Sequence, residues 1–176
     1  MKKNYYILKN HEKNMANITV EASFLIRNQT IQLEYKIEGE IAKYNFPQES
    51  QQKRVHELWR KSCFEFFFSI GDSDEYYEIN ISPTTEWNIY HFNSYREGMK
   101  EVTDISIPSI NVHRGKESIS LSFEVQFLAQ EIVNKPFSYN LATILLNNSS
   151  LRYFFTIHRK DGDVDFHNKG KWETKN

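Results

Sequence analysis

Two consecutive stretches of this sequence alternate apolar and polar side chains with a period of two, and no other feature narrows the fold as much. Ile18, Val20, Ala22, Phe24 and Ile26 alternate with mostly polar residues. After Asn28-Gln29 the pattern resumes, with Ile31, Leu33, Tyr35 and Ile37 set against Gln32, Glu34, Lys36 and Glu38, closing at Gly39. Successive side chains of a strand point to opposite faces, so the run predicts an antiparallel hairpin with one face in a core and one toward water. Composition agrees. Phe, Tyr, Trp, Ile, Val and Thr make up a third of the 176 residues, with 13 Phe, 10 Tyr and 3 Trp, while Ala occurs only five times. Those residues favour strands, and so little Ala argues against a helical bundle.

The densest information lies between Leu58 and Met99. Cys63 to Ile70 reads as a strand with Phe64, Phe66, Phe68 and Ile70 on one face and Cys63, Glu65, Phe67 and Ser69 on the other. Gly71-Asp72-Ser73-Asp74 is a turn, and Glu75 to Ser82 returns with Tyr77, Ile79 and Ile81 as its apolar face. Matching the two apolar faces requires paired residue numbers that add to an odd value, since a one-residue slip inverts a strand. The turn selects the register that sets Glu65 opposite Asn80 and Phe67 opposite Glu78. Glu65, Glu78 and Asn80 then share the side away from the main core. Trp87 to Phe92 carries large residues on both faces, so its register stays open. Further strands are expected at 105–113, 118–127, 137–146 and 151–158, with one helical turn at 128–133 and a long loop or short helix at 41–61. Nine or so short strands without βαβ spacing predict one all-β domain over residues 1–176. The expected architecture is an antiparallel β-sandwich, immunoglobulin- or jelly-roll-like, with at most short helices.

Charge and spacing exclude several functions. With 22 basic and 23 acidic side chains there is no cationic excess to neutralise a nucleic-acid backbone. No apolar run approaches the roughly 20 residues of a membrane span. The first twelve residues lack the apolar stretch of an export signal, which gives a cytoplasmic, soluble chain as the expectation. The single cysteine, Cys63, allows no internal disulfide. There is no glycine-rich phosphate loop and no nucleophile elbow.

Several residues can carry chemistry. Glu65 and Glu78, on adjacent strands, suit acid–base work at roughly 5–8 Å, although carboxylates on an outward face more often meet solvent or a basic partner. Cys63 lacks a motif-linked histidine and reads as a small core residue. His158, Asp161, Asp163, Asp165 and His167 cluster near the end of the chain without matching a zinc or calcium spacing. Trp59, Trp87 and Trp172 lie in or beside loops, where a flat indole can stack on a sugar ring or simply cap the core. Arg60, Glu65, Asn80, Asn93 and Arg96 are placed to bond hydroxyl groups beside them.

The block Leu58-Trp59-Arg60-Lys61-Ser62-Cys63-Phe64-Glu65-Phe66-Phe67-Phe68, followed by Tyr76-Tyr77-Glu78-Ile79-Asn80-Ile81-Ser82-Pro83, Trp87-Asn88-Ile89-Tyr90 and Tyr95-Arg96-Glu97-Gly98-Met99, resembles bacterial DOMON-like domains related to family 9 carbohydrate-binding modules. Residues 153–158 and Asp165-Phe166-His167 are similar to the end of the same proteins. The resemblance implies a β-sandwich and a sugar or glycan as partner, with family 9 modules clamping a ring between two tryptophans. It extends the expected ligand-binding set to Trp59, Arg60, Glu65, Asn80, Trp87, Arg96, His158 and His167, with no catalytic residue and no metal. Related DOMON domains hold haem through Met and His, and Met99 and His158 are the residues that would do so here. The leading expectation is a non-catalytic sugar-binding domain without a cofactor. A haem carrier and an interaction domain without a small ligand are the alternatives.

Overall fold

The computed structural model describes residues 3–12, 17–27, 30–107, 109–126, 135–158 and 163–175. Thirteen strands are found among them: β1 Asn4–Ile7, β2 Lys9–Asn10, β3 Ile18–Arg27, β4 Thr30–Gly39, β5 Cys63–Ile70, β6 Tyr76–Ile81, β7 Trp87–Phe92, β8 Lys100–Glu101, β9 Ile110–Arg114, β10 Ser118–Gln126, β11 Phe137–Leu146, β12 Arg152–Thr156 and β13 Glu173–Lys175. Among the described residues, helical structure is confined to single 3-10 turns at Ile41–Lys43, Leu58–Arg60 and Lys169–Lys171. None of the described helices is long and apolar enough to cross a membrane.

The thirteen strands pair antiparallel and form two sheets. One runs β1-β3-β4-β10-β9, and the larger runs β2-β12-β11-β5-β6-β7-β8, with β13 beside β11. The alternating hairpin forms as its period requires, pairing Ile18 with Gly39 and Arg27 with Thr30. In the second hairpin Glu65 lies opposite Asn80 and Phe67 opposite Glu78, the register that parity selects.

The inner faces meet in the main core. Phe24 of the smaller sheet packs edge-on to Tyr139 at 4.6 Å and against Phe66 at 5.2 Å. Tyr35 crosses the interface and donates to the backbone oxygen of Glu65 at 2.6 Å, which satisfies its buried hydroxyl. A second apolar cluster lies on the outer face of the larger sheet. There Phe67, Tyr76, Tyr90, Phe92, Ala142 and Ile144 are covered by Phe166 and Trp172. The sheet is therefore buried on both sides, which explains why β5, β6 and β7 carry large residues on both faces.

One strand is shorter than expected. Ile105 and Ile107 are buried, yet pairing begins only at Ile110. The backbone oxygens of this approach are taken by side chains of the 51–54 segment instead of a ladder. Gln52 donates to Ile107 at 2.7 Å, and Arg54 donates to Ile105. The expected turn at Asn28-Gln29, the helical turn at 128–133 and Asp161 lie outside the described residues.

Candidate functional site

The outer face of the larger sheet holds a cavity of about 510 Å³. Its floor comes from four adjacent strands: Glu65 of β5, Glu78 of β6, Ile144 of β11 and Phe154 of β12, with Phe92 of β7 beside them. Its walls are Trp59 from the 3-10 turn, Arg96 and Met99 from the connection between β7 and β8, and Val164, Phe166 and His167 from the C-terminal segment. Arg152 closes the rim. A volume in this range, with apolar walls and a few convergent polar groups, is typical of small-molecule sites.

The two carboxyls of the floor are buried. Glu65 is 2% and Glu78 3% exposed. Glu78 Oε1 accepts a hydrogen bond from Asn80 Nδ2 at 2.8 Å, but Glu65 Oε1 and Asn80 Oδ1 are buried without a partner among the described residues. Burial drives the Glu65 carboxyl well above the usual carboxylate range, and the neighbouring Glu78 pushes it the same way. Burial also lifts Glu78, to about 7, against the opposing pull of the Asn80 hydrogen bond and Arg96. Burial and the neighbouring charge therefore both oppose ionisation of the two carboxyls together.

His167 stands over the pair, with Nε2 3.8 Å from Glu78 Oε2 and Nδ1 2.7 Å from the Tyr76 hydroxyl. Tyr76 already accepts the backbone N–H of Arg96 at 3.1 Å, so its proton is assigned to His167 Nδ1, and Nε2 carries the ring hydrogen on the Glu78 side. Burial, with a contribution from Arg96 and opposed by Asp165, lowers His167 to about 4 and keeps the ring neutral. Arg96 adopts a left-handed φ of 56° and is held by Asp165 at 3.0 Å; Tyr95 also donates to Asp165, at 2.7 Å. Gly98 permits this turn: a Cβ there would lie 2.3 Å from the Asn93 side chain, and its own φ is +67°.

Trp59 is half-buried, edge-on to Tyr90 and His56 at centroid distances of 5.5 and 5.6 Å. The Tyr90 hydroxyl anchors this segment through His56 Nδ1 at 2.9 Å and Asn88 Nδ2 at 3.1 Å.

Of the eight ligand-binding residues expected from the sequence, Trp59, Glu65, Arg96 and His167 line this one cavity, and Asn80 packs into its floor network. Three lie elsewhere. Trp87 pairs with Ile81 at the start of β7, and that parity turns it into the main core, where Arg54 sits 4.1 Å over its ring. Arg60 is exposed and forked onto Glu57 at 2.7 Å. His158 is exposed, paired with Glu173, and is not among the residues that line the cavity with Met99. Trp172 is buried in the outer cluster, its indole N–H donating to the Phe166 oxygen at 2.8 Å. Glu65 and Glu78, expected to meet solvent or a basic partner, are buried and face each other's field. Among the described residues no group of three acidic, imidazole or thiol side chains is arranged to hold a metal.

The sequence reading passed over Arg152, Phe154 and Val164 as site residues. Phe154 was within reach of parity: Ala142 pairs with Glu65 and Ile144 with Phe154, which puts Phe154 on the Glu65 face.

No protein-family model and no curated protein matches the sequence. Solved structures do match the fold. A Bacteroides uniformis protein provisionally described as carbohydrate-binding superposes with a TM-score of 0.73 at 14% identity, over 98% of this chain and 84% of that one. A family 9 carbohydrate-binding module from Caldicellulosiruptor kristjanssonii, in complex with cellotriose, gives 0.54 at 7% identity, over 90% and 74% of the two chains. The same organism's family 9 module with glucose gives 0.51 at 8%, over 89% and 76%. The chain shares the sandwich fold of these proteins.

Proposed function

We propose that this chain is a non-catalytic binding domain for a sugar or glycan, taken up in the cavity on the outer face of the larger sheet. The observation that carries this reading is the combination of an indole wall, Trp59, with a buried carboxyl oxygen, Glu65 Oε1, that has no hydrogen-bond partner among the described residues. An unpaired buried polar atom is costly, and a ligand hydroxyl reaching the floor would relieve it. A ligand hydroxyl beside His167 Nε2 and Glu78 Oε2, which lie 3.8 Å apart, can accept from the first and donate to the second. The apolar side of a sugar ring would lie on Trp59, with Arg96 and Arg152 at the rim as donors to ring and hydroxyl oxygens. The sugar complexes of the family 9 modules that share the fold support this reading, as does the resemblance carried by Trp59, Glu65, Glu78 and Asn80.

Calorimetric titration of the whole chain against a panel of gluco-, xylo-, manno- and galacto-saccharides tests it. Binding by the wild type, lost in Trp59→Ala and kept in Arg60→Ala, is the expected result. A panel without any binder, unchanged affinity in Trp59→Ala, or hydrolysis of a bound saccharide would overturn it.

A further inference from the structure

A second concavity of about 500 Å³ adjoins the first. Its lining includes Asp74, Tyr95, Asn168 and Lys169, and it shares His167 with the carboxyl-floored cavity. Between the two runs a bridge in which Asp165 accepts from Tyr95 at 2.7 Å and from Arg96 at 3.0 Å. We infer that the two concavities form one extended groove for a linear oligosaccharide, with the exposed Tyr95 ring as the platform for a sugar unit beyond the first cavity. The inference rests on the sugar-binding reading above and adds the length of the ligand and the residues that read it.

Three observations support it. Tyr95 is 55% exposed although its hydroxyl is fixed by Asp165, so an aromatic face is held in place in contact with solvent. Holding such a ring before the ligand arrives spares the ordering entropy of a mobile side chain. The turn that presents it has its own strain, since Arg96 takes a left-handed φ of 56° that few residues other than glycine adopt, and strained backbone concentrates at ligand-contacting segments. The recognition groups also divide cleanly. Lys169 is already committed to Ser69 Oγ, Ser73 and Glu75 oxygens at 2.9, 2.6 and 3.1 Å, so it builds the wall. Asp74 is exposed and lines the second concavity and not the first, so its carboxylate can accept from sugar hydroxyls there.

The experiment is a titration of the full chain with a saccharide series of one to four units, chosen from the sugar type that the wild type binds. The wild type should gain about tenfold in affinity on going from one unit to three, equivalent to about 1.4 kcal/mol and within the range of one aromatic stacking contact. Tyr95→Ala and Asp74→Ala should each remove most of that gain, and Asp74→Ala, which lies outside the first cavity, should change single-unit affinity by less than about twofold. A wild-type affinity independent of length overturns the groove. So does an equal loss at every length in both variants. A wild type that binds no saccharide overturns the reading beneath it, a different outcome from binding that ignores length.

Discussion

Trp59 and Trp87 look alike in the sequence, each beside a polar stretch and each flanked by residues suited to a sugar. The structure separates them through one local rule. Trp87 pairs with Ile81 and Ile89 with Ile79, so Trp87 inherits the core-facing parity of β6, while Trp59 sits on a 3-10 turn whose buried member is Leu58. The two alanine substitutions should therefore act differently. Trp87→Ala removes a nearly buried indole from the main core and should lower unfolding free energy by about 3–5 kcal/mol in urea titrations. Trp59→Ala should cost about 1 kcal/mol in the same assay and yet weaken saccharide binding at least tenfold, or about 1.4 kcal/mol. Equal stability losses in the two variants would remove the basis for assigning Trp59 to the ligand.

At the scale of elements, the hairpins β3–β4 and β5–β6 were readable because a period of two fixes which side chains share a face, and parity then fixes the register. The short strands β1, β2, β8 and β13 were not, since two to four residues carry no periodicity and their pairing depends on distant partners. The cavity was half legible for the same reason. Glu65, Glu78 and Asn80 share a face by parity alone, but the segment that roofs them, Val164 to Trp172, reaches them only through the tertiary fold. The turn carrying Trp59 is held in a comparable way, by Tyr90 of β7, whose hydroxyl meets His56 Nδ1 and Asn88 Nδ2 and lies 3.4 Å from the Glu57 backbone nitrogen. Tyr90→Phe leaves the ring against Trp59 and deletes only these bonds. It should lower stability by about 1 kcal/mol and weaken binding several-fold with the indole still present. Wild-type affinity in this variant would show that Trp59 is positioned by packing alone.

For the whole molecule, the cavity couples stability to pH through groups of opposite sign. Glu78, raised to about 7, holds its proton in the folded chain between its ordinary value of 4.5 and 7, while the unfolded chain has lost it. The folded state then binds the extra proton, so this carboxyl makes stability fall as pH rises through that window. Glu65, raised by burial, adds to the same trend. His167, lowered to about 4 from 6.5, is neutral when folded and protonated when unfolded over that interval, which makes stability rise with pH. The wild type should therefore give a compensated profile, with its carboxyl contribution set against the imidazole's. Glu78→Gln exposes the difference. The amide oxygen can still accept from Asn80 Nδ2, so the packing is retained and the titration is lost. Subtracting wild-type from variant unfolding free energies cancels the surface groups common to both, and the difference should grow steadily from pH 4.5 to 7. Urea unfolding at half-unit pH intervals measures it. A difference that stays flat across that window would mean that Glu78 titrates normally in the folded protein.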